Sequence, residues 1–126
     1  MITSNEIFTK LHDELNVGER TVFCTTTHDP LAPELPCLYY RETHYRPAEH
    51  ITLGYDDEVI DSTVYIELYD TEDLQDLVKA VEDIMSSMHY IEVSCIQVDN
   101  ADVSIERYSL SFTRIICGTD TLEQGE

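Results

Sequence analysis

The chain has 126 residues, 26 Asp and Glu against seven Lys and Arg, and a formal net charge of −19. The length suits one domain, and a hydrophobic content of 42% with eight Tyr and three Phe belongs to a globular chain rather than a disordered one. The acidic balance argues against a nucleic-acid binder or a protein that settles on anionic lipid, and no apolar run reaches the ~20 residues of a membrane span.

Residues 1–6 carry neither a basic region nor an apolar core, so no secretory signal is expected. The first sixteen residues read as a short amphipathic helix. Thr3 or Ser4 is a candidate cap, Thr3 and Glu6 have capping-box spacing, Ile7, Phe8, Leu11 and Leu15 share a face, and Gly18 is a stop. Residues 21–27 (TVFCTTT) are β-branched and strand-like, whereas three prolines between Pro30 and Pro36 exclude helix and central strand. Residues 37–41 (CLYYR) again predict a strand. The stretch 43–61, with Pro47, Gly54 and Asp56-Asp57-Glu58, predicts a long irregular excursion, so the irregular segment spans about 28–61.

Residues 62–69 (STVYIELY) alternate strictly, which predicts a strand burying Val64, Ile66 and Leu68. Asp70 and Thr71 then offer caps, and Leu74, Leu77, Val78, Val81, Ile84, Met85 and Met88 repeat at helical spacing. Residues 90–98 and 103–116 predict two more strands joined by a turn at 99–102. Both change parity, which predicts a bulge or a strand leaving one surface for another. The order is helix, irregular strands, strand, helix, strand, strand, an α-β-β-α-β-β-like series. It predicts an α+β fold over residues 1–118, with two helices packed on one face of a mostly antiparallel sheet. Residues 119–126 read as a flexible tail.

Chemistry-bearing motifs are sparse. No phosphate loop, GxSxG, HExxH or EF-hand spacing occurs. Cys24, His28, Cys37, His44 and His50 have a composition that zinc favours, but their spacing matches no common zinc module and strand cysteines are often core residues, so no metal or cofactor is assigned. The four cysteines lack CxxC spacing and read as reduced thiols of a chain made in the cytoplasm. Tyr39, Tyr40, Arg41 and Arg46 combine the residue types that anchor protein interfaces and are the candidate contact residues.

Lys79 is the only Lys or Arg between Arg46 and Arg107. Self-repulsion on this scale costs stability, which suggests a use for the charge: a mimic of nucleic acid, or a wall past which DNA slides without sticking.

The capped N-terminal helix, the Pro-rich passage into Cys37-Leu38-Tyr39-Tyr40 and the strand Thr63-Val64-Tyr65-Ile66-Glu67-Leu68-Tyr69 are followed by the helix at 74–88. The late strand Glu106-Arg107-Tyr108-Ser109-Leu110-Ser111-Phe112 completes the series. In this order they resemble the tail terminator (tail-completion, or tail-to-head joining) proteins of long-tailed bacteriophages. The resemblance implies a non-enzymatic structural protein of the virion neck, assembled in the host cytoplasm. It implies a hexameric ring on the last ring of tail-tube protein, which stops tube growth and offers a docking surface to the head–tail connector. On that reading Asp56, Asp57 and Glu58 are candidate acids of a DNA channel. The competing expectation is an acidic DNA mimic of the anti-restriction or anti-CRISPR type. A small metal-dependent enzyme built on the Cys/His cluster is the third.

Overall fold

The computed structural model describes residues 4–15, 22–26, 35–45, 59–99 and 104–117. The fold is α+β. In chain order its elements are α1 (Ser4–Glu14), β1 (Phe23–Thr25), β2 (Cys37–Tyr45), β3 (Val59–Asp70), α2 (Gln75–Ser87), β4 (Ile91–Val98) and β5 (Glu106–Cys117). The five strands form one sheet in the order β1-β2-β3-β5-β4, parallel between β1 and β2 and antiparallel elsewhere. β3 and β5 pair along their whole length, from Val59 opposite Cys117 to Asp70 opposite Glu106.

The alternation in β3 does what its period dictates. Val64, Ile66 and Leu68 are buried in the core with the helices and Ile60 is buried on the same parity, while Thr63, Tyr65 and Glu67 point to the outer face and stay partly open. β5 keeps the same parity through Leu110, Phe112 and Ile116. Leu77, Val78, Val81, Ile84 and Met85 of α2 bury one stripe, with Leu74 and Met88 closing its ends. Ile7 and Leu11 of α1, with Leu15, join the same core, so both helices lie on one sheet face. Each fully buried Leu or Ile contributes about 1.5–3 kcal/mol.

The ends of α2 differ from the expectation. Asp70 turns back to accept the Thr71 N–H at 2.8 Å, and Asp73 accepts the Gln75 N–H at 2.9 Å, so Asp73 rather than Asp70 or Thr71 serves the helix start. At the other end the Tyr90 N–H reaches the Met85 carbonyl and the His89 N–H reaches Ser86, with His89 at a φ of 65°. That is the Schellman arrangement with a non-glycine residue at its left-handed position.

Three boundaries also move. β2 runs on to Tyr45 and β3 begins at Val59, so the irregular segment gives up residues at both ends to the sheet. β1 is shorter than the β-branched run that suggested it. The two parity changes have different origins. In β4 the register jumps between Glu92, opposite Phe112, and Ser94, opposite Ser111, which leaves Val93 as the bulge. In the last strand the change falls before Glu106, where β5 starts. Ile105 precedes it and packs over Cys37 and Tyr69 on the outer face.

Candidate functional site

β4 is a sheet edge: it pairs with β5 on one side and with no strand on the other among the described residues. Its sequence, IEVSCIQV, holds one charged residue, Glu92, in a chain of which 26% is charged. Ile91, Val93 and Ile96 are 70%, 63% and 55% exposed, and Ile115 of β5 adds 56% beside them. Isolated exposed apolar side chains are ordinary, but three on this edge with Ile115 beside them form an adhesive strip. Register places Ile91, Ser94, Ile96 and Val98 on the outer face, opposite Thr113, Ser111, Ser109 and Arg107. Glu92, Cys95 and Gln97 lie on the helix face.

The outer face continues from this strip into a polar field. The Ser94 and Ser111 hydroxyls bond at 2.8 Å. Arg107 donates to Glu67 Oε1 through Nε at 3.1 Å and Nη2 at 2.8 Å, and its guanidinium lies 5.6 Å from the Tyr69 ring centre. Burial, and then the hydrogen bond to Glu67, push the Tyr69 hydroxyl well above the ordinary phenol range. Further along, Arg41 stacks 4.3 Å over Tyr65.

Beyond the start of β4, where β5 continues alone against β3, a cleft of about 660 Å³ opens between Asp61, Tyr90, Ile91, Arg114 and Ile115. Arg114 is buried and donates Nη1 to the Met88 carbonyl at 2.6 Å, satisfying the end of α2. Beside it the Ser62 hydroxyl bonds Tyr90 Oη at 2.6 Å and donates to Glu42 Oε2 at 2.5 Å, while Glu42 also accepts from Tyr40 Oη at 3.0 Å and contacts His44. Burial pushes the Tyr90 hydroxyl up to about 12. The residue types mimic a Ser/His/Glu set, but Ser62 is wholly buried and donates to the carboxylate rather than to the imidazole. A nucleophile needs the opposite on both counts. The network satisfies polar groups within the core.

Glu82, Glu92 and Cys95 bring two carboxylates and a thiol within 4.8 Å of one another. The hydrogen bond that the protonated Glu92 carboxyl donates to the Glu82 carboxylate, and then burial, raise the Glu92 carboxyl from 4.5 to about 7. Burial raises the Cys95 thiol too, which disfavours the thiolate that a metal would need.

The expected contact residues separate. Tyr39 and Arg41 stand on the outer face, half-buried and exposed respectively. Tyr40 does not: it is 2% exposed, packs against Phe8 at 5.7 Å between ring centres, and belongs to the core because its neighbour parity is that of Leu38. The Cys/His group is pulled apart. Cys24 lies opposite Leu38 and packs toward the helix-face core, whereas Cys37 lies opposite Tyr69 on the outer face. His44 is seven residues further along β2 than Cys37, about 23 Å at the rise of a strand. Burial, with Cys37 nearby, raises the Cys24 thiol to about 11. Arg46, Asp56, Asp57, Glu58, His28 and His50 lie outside the described residues. The β4 strip was not among the candidate residues; its signal is a single charged residue, Glu92, across 91–98 in an otherwise acidic chain. No helix among the described residues is long and apolar enough to cross a membrane. No protein-family model matches this chain, and no curated protein matches it.

Proposed function

We propose that this chain is a non-catalytic assembly subunit of the tail-terminator kind. In this reading it forms a hexameric ring that caps the tail tube of a long-tailed phage, ends its polymerisation and presents the docking surface for the head–tail connector. The observation that carries the reading is the β4 edge, which exposes Ile91, Val93 and Ile96 and bears one charged residue, on a chain of net charge −19. A protein that works alone keeps its edge strands short, charged or covered, because an open edge recruits other chains. Here the edge is eight residues long, exposes three apolar side chains and carries one charge while charge is heavy elsewhere, which favours controlled contact at one place. Six copies carry a formal charge of −114, six times −19, and acids lining a ring repel the phosphate backbone of passing DNA.

Native mass spectrometry across a concentration series, with and without purified tail tubes, tests the reading. The expected result is a six-membered ring, either free or formed on the tube end. A monomer or dimer that never forms a ring in the presence of tubes overturns it and favours the DNA mimic, whose support is the acidity alone.

A further inference from the structure

We propose that two copies of this chain stack outer face to outer face, about a two-fold axis passing between Thr43 and Thr63, with Arg41 of each copy paired to Asp61 of the other. This contact is separate from the β4 edge and depends on no role in a phage tail.

Both helices lie on one side of the sheet. On the other, among the described residues, Leu35 and Ile105 pack over Cys37 and Tyr69, and no element covers the rest of the face. Phe23, opposite Cys37, joins Ile91, Ile96 and Ile115 as an exposed large apolar side chain there. The charges that the described strands place on this face are Arg41, Arg107, Asp61 and Glu67, two of each sign. Glu67 and Arg107 pair within the chain at 2.8 Å. Arg41 and Asp61 cannot. Register sets Arg41 opposite Tyr65, four residues along β3 from Asp61, so the two lie about 14 Å apart, beyond a physiological Debye length. Neither has an ion pair among the described residues, whereas Lys10 and Lys79 each reach a carboxylate of their own chain and Arg114 is buried. Stacking at 4.3 Å over Tyr65 holds the Arg41 guanidinium in place, with its in-plane donors open to a carboxylate.

The couple is self-complementary. A two-fold axis that bisects the line from Arg41 to Asp61 sets each on its opposite number in the other copy, and it passes by Thr43 and Thr63, which pair midway. β3 is the central strand of the five, so this axis crosses near the middle of the face. The line runs about 20° off the strand direction, so the strands of the two sheets cross at about 40°, near the ~30° of aligned sheet packings. The same operation lays Tyr65 over the copy's Ile115, once on each side of the axis. At ~4.8 Å between strands and ~3.3 Å per residue, the five strands offer roughly 700 Å² in projection, of the order of the ~800 Å² that a stable interface buries per partner.

The couple also selects the occupant. An acidic partner would satisfy Arg41 but press its acids on Asp61, a basic one would do the reverse, and a second copy satisfies both. Glu82 and Glu92 lie on the helix side, away from the axis. Two ion pairs are few against a net charge of −19 on each chain, so added salt still favours the contact.

The test is sedimentation equilibrium on the full chain and its charge variants. The expected outcome is a wild-type dimer that Arg41→Glu weakens about tenfold, because the reversal occurs twice across the axis. Asp61→Arg weakens it likewise, and the exchange of Arg41→Asp with Asp61→Arg restores it at unchanged net charge. Lys79→Glu, the same change of charge on α2, leaves the dimer in place, as does Ile96→Lys on the edge. A wild type that stays monomeric overturns the proposal. So does an exchange variant that fails to recover, or an Arg41→Glu effect no larger than that of Lys79→Glu. Loss of the dimer in Ile96→Lys would move the contact to the β4 edge and sink the face pairing, with the terminator reading intact.

Discussion

His89 holds a φ of 65°, the left-handed region, so that the chain can turn from α2 into β4. A side chain with a Cβ costs about 1 kcal/mol there, and glycine is the residue that Schellman turns ordinarily use. His89→Gly is therefore expected to stabilise the fold by roughly 0.5–1 kcal/mol in urea unfolding, and a loss of stability would refute this account of the turn. Arg114 ties the same corner together by donating to the Met88 carbonyl, and Arg114→Met removes a charged donor from a buried carbonyl. A loss of about 2 kcal/mol is expected, and a near-neutral outcome would show that the carbonyl finds another partner. Glu92 gives the corner beyond it a pH dependence. Its carboxyl is raised from 4.5 to about 7 by the Glu82 hydrogen bond and then by burial, so the folded chain binds this proton more tightly than the unfolded chain. The contribution is complete below 4.5 and lost as pH rises through about 7. Stability is thus expected to fall between about pH 4.5 and 7, and Glu92→Gln, which keeps a donor for Glu82, flattens that slope. An equal slope in wild type and variant would rule it out.

At the scale of elements, β3 and β5 form the spine of the sheet and β4 its adhesive margin. Ile66 is fully buried, and Ile66→Ala is expected to cost about 2–5 kcal/mol from lost contacts and an unfilled space. Ile96→Lys on the edge changes chain stability by no more than about 0.5 kcal/mol. It should nonetheless abolish ring assembly, since Ile96 is 55% exposed in the single chain. Equal effects of the two substitutions on unfolding would show that β4 is part of the core. How much of this was legible depends on the element. The body of α2 was readable, because Leu74 through Met88 carry a helical stripe and all seven of those apolar residues are buried, whereas its start was not, Asp73 serving it in place of Asp70 or Thr71. β3 was readable for the same reason at period two. β2 was readable only over 37–41, since Glu42 and His44 look like loop residues until Ser62, from beyond the local window, is seen to join Tyr40 in satisfying the carboxylate. The parity break in β4 announced the bulge, but a break alone does not tell which strand ends at an edge. That depends on β5 inserting between β3 and β4, a long-range pairing that no local pattern encodes. Tyr40 and Arg41 read as a pair in sequence, yet successive strand residues face opposite ways, which sends one into the core and leaves the other on the surface.

At the scale of the whole molecule, the net charge of −19 opposes every contact between copies, and the apolar strip must overcome that repulsion. The balance is set by salt. The Debye length shrinks from about 30 Å at 0.01 M to about 8 Å at 0.15 M, so repulsion between charges spread over two acidic chains fades while the apolar contact, which carries little charge, is untouched. Self-association is therefore expected to strengthen as sodium chloride rises from about 0.02 to 0.3 M, with the change appearing mainly in the association rate because long-range repulsion acts before contact. A complex of an acidic mimic with a basic nuclease has the opposite sign: its attraction is screened, and it weakens over the same range. Light scattering on the purified chain across that series reads the sign for contact between copies. A rising mass with salt fits assembly through the β4 strip. A mass that falls with salt would mean that contact runs through complementary charges, and the β4 edge would then have to be given up as the surface that joins the copies.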